Sequence, residues 1–322
     1  MEIESINSLG SARIGTALLT LVVACPLLMA SWTWRERASL PRPRGGYGAG
    51  ERDHKLVIGG GTYWEDGKKL MSARTDIFDP ATNTWTAGPP LPAARGNGAC
   101  ATLNDALYLL GGTLDGEPSA NVVRLDAHGW KQVPAGLPQA LELPVATSAG
   151  NFLYVFGGLT KAGDLTSATR TFIRGNAAGG WKSMAAFPGK PRVTAAFTAL
   201  GDKLYVFGGV EMIGTEVRNL ADAWAYDIPS DRWDRIPSPP VSRRAWGTAV
   251  EGKSILLAGG FSDTFSAEVY AYDTVTAKYT LAGSLPHPIA DAKFVAINGK
   301  LYTTGGEPDF KVRAAWTIEG SR

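Results

Sequence analysis

The sequence predicts an all-β protein, a six-bladed β-propeller whose ring is closed by an N-terminal strand that joins the C-terminal blade. Two observations predict this fold. A short apolar run that ends in two glycines recurs six times, at intervals of about 50 residues. Glycine accounts for 39 of 322 residues, roughly 12%, against about 7% in average proteins. Many short strands joined by tight turns explain both observations.

Each apolar run is preceded by another apolar strand and a polar turn. The runs are LVIGG ending at Gly60, LYLLGG at Gly112, LYVFGG at Gly158, LYVFGG at Gly209, ILLAGG at Gly260 and LYTTGG at Gly306. Glycine lets the chain leave this second strand at positive φ. In the first five repeats a third strand follows, then a short turn and an outer aromatic residue: Trp85, Trp130, Trp181, Trp233 or Tyr279. Such four-stranded sheets must stack radially to bury both faces.

The two ends of the repeat region predict how the ring closes. After Gly306 the last repeat has one more strand, VRAAWTIEG, and lacks a fourth. The segment SWTWRERASLPRPR has the missing features, with Trp34 at the aromatic position and LPRPR as the proline-rich stretch that ends each repeat. Pairing the two segments removes an exposed sheet edge. We therefore expect Trp34 to lie near Trp316.

Residues 1–31 are predicted to be a signal peptide or a membrane or lipid anchor. Residues 16–30, TALLTLVVACPLLMA, are almost continuously apolar and follow Arg13. Their length suits a signal-peptide core better than a membrane span of about 20 residues. Cleavage near Ala30, an uncleaved anchor and lipid attachment at Cys25 in the lipobox-like run VVAC remain open. Residues 32–322 would then be an exported propeller, periplasmic or on the outer surface, with any membrane attachment confined to this N-terminal segment.

Composition argues against several classes of function. A net charge of +2, without a basic stripe, gives no indication of nucleic-acid binding. The three histidines are scattered, so neither a metal site nor a cofactor is predicted, and a copper-radical oxidase is disfavoured. Boxes of the sialidase type, Ser-x-Asp-x-Gly-x-x-Trp, are absent from the sequence. Cys25 lies in the leader and Cys100 in a predicted strand, so no structural disulfide is expected.

The repeats resemble Kelch repeats, in which a double glycine ends a strand and is followed by Tyr-Asp and then Trp. The resemblance covers residues 32–319. In such a ring, the loops after each double glycine and the loops between blades surround one channel mouth, which is the expected site for a small ligand. Two segments at this mouth become adjacent once the ring closes: GGEPDFKVRAAW in the last repeat and GGGTYWEDGKKLMSARTDIFD in the first.

This pair of segments resembles the N-acetylneuraminate epimerases, secreted or periplasmic sialic-acid mutarotases with six Kelch blades. The resemblance implies that Glu307 and Arg313, spaced as Glu-x5-Arg, are catalytic, although the filler PDFK departs from the family's Pro-Gly-containing filler. Glu307 would transfer protons, and Arg313 would bind the sugar carboxylate or tune Glu307. Tyr63 and Trp64 are expected to stack on the sugar. Further substrate contacts are expected from four inter-blade arginines, with loop-bracing ion pairs as the alternative for each: Arg44, Arg95, Arg192 and Arg244.

The predicted function is therefore an isomerase of carbohydrate metabolism that needs no cofactor. It would be a mutarotase that interconverts anomers of N-acetylneuraminate or a related small-molecule sugar. The alternative is a non-catalytic Kelch propeller that binds a glycan or a protein partner, because propellers host many functions and the repeats alone suffice for this role.

Overall fold

The computed structural model describes residues 32–322 except residues 177 and 179. These residues form six four-stranded antiparallel sheets, which confirms the predicted all-β propeller. The predicted leader, residues 1–31 with Cys25, lies outside the described residues. Within the part of the chain that the structure describes, no helix has the length and apolarity needed to cross a membrane.

Each sheet is one blade, with an inner, a second, a third and an outer strand. Blade 1 consists of Gly48–Arg52, Lys55–Gly59, Thr75–Asp79 and Thr84–Ala87. Blade 2 consists of Ala99–Leu103, Ala106–Leu110, Val122–Asp126 and Gly129–Gln132. Blade 3 consists of Val145–Ala149, Phe152–Phe156, Phe172–Gly175 and Lys182–Ser183.

The remaining blades repeat this arrangement. Blade 4 consists of Ala196–Leu200, Lys203–Phe207, Ala223–Asp227 and Arg232–Ile236. Blade 5 consists of Gly247–Glu251, Ser254–Ala258, Glu268–Asp273 and Lys278–Ser284. Blade 6 consists of Val295–Ile297, Lys300–Thr304 and Thr317–Ser321, with Thr33–Arg37 as its outer strand.

The loops that join second to third strands carry short elements of their own. Blade 1 has a hairpin of Thr62–Glu65 and Lys68–Met71, and blade 4 has one of Val210–Ile213 and Glu216–Asn219. In blade 2, Thr113–Leu114 pairs with both Arg95–Gly96 and Glu117–Pro118. Blade 3 has a 3-10 turn at Leu165–Ser167. The hairpins build up the face of the ring around the predicted channel mouth.

Blade 6 joins the two ends of the described chain, as predicted. Thr33–Arg37 pairs antiparallel with Thr317–Ser321, and Trp34 lies opposite Gly320. Trp34 packs on Phe294 with ring centroids 6.1 Å apart, and Trp34 and Trp316 contact the same apolar cluster. The salt bridge between Arg37 Nη1 and Glu319 Oε2, at 3.1 Å, also links the two strands.

The outer aromatic residues tie each blade to the blade before it. Four of them donate a hydrogen bond to a residue of the preceding blade or of the segment that follows its outer strand. The bonds are Trp85 to the Ala38 carbonyl at 2.8 Å, Trp130 to Thr75 Oγ1 at 2.8 Å, Trp233 to the Ala185 carbonyl at 3.1 Å and Tyr279 to the Pro237 carbonyl at 2.7 Å. Partly buried indole and phenol groups that keep a hydrogen-bond partner stabilise such contacts.

The double glycines adopt the positive φ angles expected of them, with one correction of register. In blade 1 the pair with positive φ is Gly60 at 71° and Gly61 at 103°, one residue later than the predicted pair ending at Gly60. Gly59 is still part of the second strand. Position 59 needs a glycine for a different reason: a Cβ at this position would lie 2.7 Å from the Trp130 ring.

Six residues with positive φ surround the channel mouth, one in each loop that leads to an inner strand. We call these residues the belt. They are Gly46, Asn97, Leu143, Thr194, Ala245 and Asp291. Backbone hydrogen bonds join most neighbours in the belt, such as Asn97 N to the Gly46 carbonyl at 2.8 Å and Asp291 N to the Ala245 carbonyl at 2.9 Å. Between the last and first blades a side chain takes over, since Gly46 N donates to Asp291 Oδ2 at 2.6 Å.

Candidate functional site

The inner strands line a central channel with a cavity of about 360 Å³. Most of the lining residues are small, such as Ala101, Ser148 and Thr248, as expected where six strands converge. Lys293 also borders the cavity, and its Nζ lies 2.6 Å from Asp291 Oδ1. Cys100 borders it as well, and burial raises the pKa of its thiol. The channel therefore carries a cation next to the belt at its mouth.

Glu307 and Arg313 form an ion pair at this mouth. Arg313 Nη1 lies 2.6 Å from Glu307 Oε1, and Arg313 Nη2 donates to Thr62 Oγ1 of blade 1 at 3.1 Å. The backbone of Glu307 is fixed by hydrogen bonds to and from Ala290, at 2.9 and 2.8 Å. The Glu307 side chain is 38% exposed, whereas that of Arg313 is 5% exposed. The Glu307 carboxylate is therefore accessible to a ligand, whereas the Arg313 guanidinium is sheltered from solvent.

The surroundings of Glu307 make its carboxyl group a weaker acid than that of an ordinary glutamate. Burial raises the pKa of the Glu307 carboxyl above its ordinary value, and the negative charge of Asp291 adds to this effect. The positive charges of Arg313 and Lys69 oppose the shift without cancelling it. A carboxyl group in this state can both donate and accept a proton closer to neutral pH than an ordinary glutamate.

Arg244 is a further charged group close to Glu307. Its Nη1 donates to Asn219 Oδ1 at 2.9 Å, and its guanidinium lies over the Phe261 ring at 4.4 Å. Burial lowers the pKa of Arg244, and the charge of Glu307 opposes that shift. Phe310, three residues after Glu307, packs on Phe261 at 5.3 Å and is 67% exposed. Sequence reasoning did not single out these two phenylalanines, because they belong to different repeats.

Tyr63 and Trp64 do not point the same way. Successive residues of a strand face opposite sides. Arg42 stacks over the Tyr63 ring at 4.4 Å, whereas Lys311, from the loop between Glu307 and Arg313, lies 5.8 Å from the Trp64 ring. Of the two aromatic residues, Trp64 is therefore the one placed beside the Glu307 loop.

Three of the four predicted substrate-binding arginines brace loops instead. Arg44 and Arg192 are fully buried. Arg44 pairs with Asp76, and Arg192 forms two hydrogen bonds with Asp222 at 2.7 and 2.8 Å. Arg95 is also buried, and its Nη2 donates to Asn121 Oδ1 at 3.0 Å. Their burial corrects the prediction that Arg44, Arg95 and Arg192 contact substrate and supports the alternative of bracing ion pairs for Arg44 and Arg192.

Arg244 differs from those three because it stands one position later in the repeat. The preceding residue, Arg243, takes the bracing role and pairs with Glu268. Within residues 32–322, leaving out 177 and 179, no group of three or more His, Cys, Asp or Glu side chains could hold a metal ion. Glu307, Arg313, Arg244 and Lys69 are charged groups at the mouth, and Asp291 and Lys293 lie close to Glu307 as well.

Comparison with known proteins shows two kinds of relative. Kelch-like protein 25 of Xenopus tropicalis is 24% identical over 272 residues, 81% of this chain, which spans 44% of that protein's length. The N-acetylneuraminate epimerase of Yersinia enterocolitica is 38% identical over 130 residues, 38% of this chain and 32% of the epimerase. The solved structure of YjhT shares the fold, with a TM-score of 0.73 and 15% identity over 87% of this chain and 95% of YjhT.

A protein family also matches the greater part of the ring. The KLHDC2/KLHL20/DRC7 Kelch-repeats domain matches residues 97–306. That range begins in the belt before blade 2 and ends at the double glycine of blade 6. Since the repeats, the six sheets and this match agree, the chain belongs to the Kelch-repeat family described as the KLHDC2/KLHL20/DRC7 Kelch-repeats domain.

Proposed function

We propose that this protein is a mutarotase that interconverts the anomers of N-acetylneuraminate or a related acidic sugar. One observation carries the proposal. Glu307 has a raised pKa and an accessible carboxylate, and a sheltered arginine fixes its position at the channel mouth. The partial match to an N-acetylneuraminate epimerase supports the choice of sugar.

Mutarotation needs proton transfers that a single carboxyl group can supply. A proton is delivered to the ring oxygen while the anomeric hydroxyl loses one, and the bond between the anomeric carbon and the ring oxygen breaks. The carbon–carbon bond next to the anomeric carbon then rotates. The reverse proton transfers close the ring on the other face of the carbonyl group. Glu307 gives one proton and takes the other, so it returns to its starting state. Arg313 is a positioning residue here, because it contacts Glu307 and Thr62 from a sheltered place.

The positive groups around Glu307 suit an acidic sugar. Asn219 uses one N–H of Arg244, and the planar guanidinium carries five such donors. The remaining donors can bind a carboxylate with two parallel bonds. Lys69 contributes positive charge near Glu307, and Trp64 offers an apolar ring beside the same loop. We assign the substrate carboxylate to Arg244 rather than to Arg313.

Exchange spectroscopy by NMR tests this proposal on the purified full chain. We expect the protein to accelerate the exchange between the two anomers of N-acetylneuraminate, and Glu307→Gln to lower the accelerated rate by about 10²-fold or more. The control is Glu65→Gln on the neighbouring hairpin. The Glu65 carboxylate is exposed, and at 3.7 Å from Arg42 it forms only a weak surface ion pair. If the native chain leaves the exchange at its buffer rate, the function is wrong. If Glu307→Gln keeps the full rate, the role of Glu307 is wrong.

A binding role without chemistry is the second candidate. It is favoured by the match to Kelch-like protein 25 over 81% of the chain, far more than the epimerase match covers. The same NMR samples separate the two roles, because a binding protein would perturb sugar signals without speeding anomer exchange.

The proposed site of action is outside the cytoplasm, in the periplasm or on the outer surface. This rests on the apolar leader of residues 16–30. N-terminal analysis of protein recovered from cell fractions would distinguish cleavage near Ala30, retention of the leader and lipid attachment at Cys25.

A further inference from the structure

A second cavity adjoins the proposed site. A cleft of about 720 Å³ lies between the loop hairpin of blade 4 and the loop that follows Gly260 in blade 5. Val217 and Asn219 line one side, and Phe261 and Asp263 line the other. This volume is within the range of about 300–1,000 Å³ typical of small-molecule sites.

Arg244 belongs to both the cleft and the Glu307 site. Its guanidinium is held between Asn219 and Phe261, which are the two walls of the cleft. Phe261 also packs on Phe310, which follows Glu307 in the neighbouring loop. A ligand that binds Arg244 from the Glu307 side therefore has the cleft directly beside it.

The walls of the cleft offer the groups that a sugar ring needs. Arg244 covers one face of the Phe261 ring, and the C–H face of a pyranose can pack against the part of the ring that lines the cleft. Asn219 supplies an amide, and Asp263 supplies a carboxylate that can accept hydrogen bonds from hydroxyl groups. Seven of the ten residues that line the cleft are polar or charged, which suits a ligand rich in hydroxyl groups.

We infer that this cleft is a second sugar subsite, so that the protein binds the reducing end of an oligosaccharide whose next ring occupies the cleft. The inference rests on the proposed mutarotase function for the first ring. Because mutarotation requires a free anomeric carbon, the reacting ring must be the reducing end, and the next ring must be attached through one of its other hydroxyl groups.

Calorimetric titration of the full chain with two probes tests the inference. The probes are N-acetylneuraminate and a disaccharide of N-acetylneuraminate with a free reducing end. We expect Ser262→Trp, which fills the cleft, to weaken disaccharide binding about tenfold or more and monosaccharide binding less than about twofold. Asp263→Ala should weaken disaccharide binding about threefold by removing an acceptor. The control is Val275→Trp, which adds the same side chain at a position 66% exposed, on the blade 5 turn at the opposite end of the sheet.

The outcomes separate this inference from the proposed function. Equal binding of both sugars, unchanged in Ser262→Trp and Asp263→Ala, would overturn the subsite even if the monosaccharide anomers exchange rapidly. Preferential disaccharide binding that both cleft variants weaken would support the subsite, and it would do so even if neither sugar shows accelerated exchange. In that last case the cleft would stand and the mutarotase function would fail.

Discussion

Glu319→Gln should destabilise the whole ring by acting at the junction of its two ends. Glu319 lies in the third strand of blade 6 with 6% of its side chain exposed. Its carboxylate forms ion pairs or hydrogen bonds with three side chains. They are Arg37 Nη1 at 3.1 Å from the N-terminal strand, Lys300 Nζ at 2.7 Å and Tyr302 Oη at 2.9 Å. Glutamine has the same size and keeps an oxygen for Tyr302, so the change chiefly removes the negative charge.

The expected loss in the free energy of unfolding depends on how exposed the partners of Glu319 are. Lys300 is 45% exposed, so its pair with Glu319 contributes less than about 1 kcal/mol. The Arg37 side chain is 10% exposed. Leaving one partner of a buried pair without its countercharge costs about 3–5 kcal/mol. Arg37 keeps hydrogen bonds to Asn83 and Pro80, which favours the lower end of that range. We expect a loss of about 3 kcal/mol in the free energy of unfolding.

Thermal and urea unfolding followed by circular dichroism and tryptophan fluorescence provide the measurement. A loss of this size should lower Tm by about 6 °C in a chain of this length. Burial raises the pKa of Glu319, but Lys300, Tyr302 and Arg37 together hold it below its ordinary value. The stabilisation is therefore complete above the ordinary carboxyl pKa and is lost as the pH falls through the lowered pKa. The difference between native and variant protein should shrink in acid.

Glu36→Gln is the matched control, because Glu36 lies in the same N-terminal strand with 61% exposure and forms an ion pair with a partly exposed His287. We expect it to change the free energy of unfolding by less than about 0.5 kcal/mol. Equal effects of the two variants, or no pH dependence in their difference, would refute the reasoning that the buried charge pair holds blade 6 together.

Two further predictions follow from the double glycines and from Asp291. Gly208→Ala should lower the free energy of unfolding in urea by more than about 3 kcal/mol, because a Cβ at φ 55° would collide with the Arg243 carbonyl. The control Gly214→Ala, at φ 61° with open space around it, should lower it by about 1 kcal/mol. Similar losses in the two variants would show that the collision is relieved. Asp291→Asn keeps an acceptor for Gly46 N but removes a negative charge near Glu307, so the pKa of Glu307 should fall and the pH profile of anomer exchange should move to lower pH. Asp66→Asn, on the exposed hairpin turn of blade 1, should leave that profile in place, and a profile that Asp291→Asn does not move would contradict the coupling.

The number of blades and the closure of the ring could be predicted from the sequence because both depend on local repeats. Each double glycine and each outer aromatic residue recurs at the same place in its unit, so the position of Trp34 could be matched to that of Trp85. The register at Gly60 could not be predicted, because three successive glycines offer two equivalent choices. Packing of Trp130 against Gly59 decides between them.

The roles of the arginines could be predicted only in part. Arg192 pairs with Asp222, which lies 30 residues later, and only the folded blade brings them together. Arg243 and Arg244 are adjacent in the sequence and identical in chemistry, yet one is buried against Glu268 and the other faces Asn219 and Phe261. Both lie in the loop before the inner strand of blade 5, where Arg244 forms an isolated bridge with Phe261, and only the folded loop shows which of the two arginines is buried.

Blade 6 has a consequence for the order of folding. Thr33 and its partner Ser321 are separated by 288 residues, so the outer strand of this blade is synthesised long before the strand with which it pairs. Contacts this distant along the chain form slowly, since a long loop must close before they can stabilise anything. The other five blades can form before blade 6 is complete, and Thr33–Arg37 stays unpaired until then. Before blade 6 closes, this strand is therefore vulnerable to pairing with another molecule.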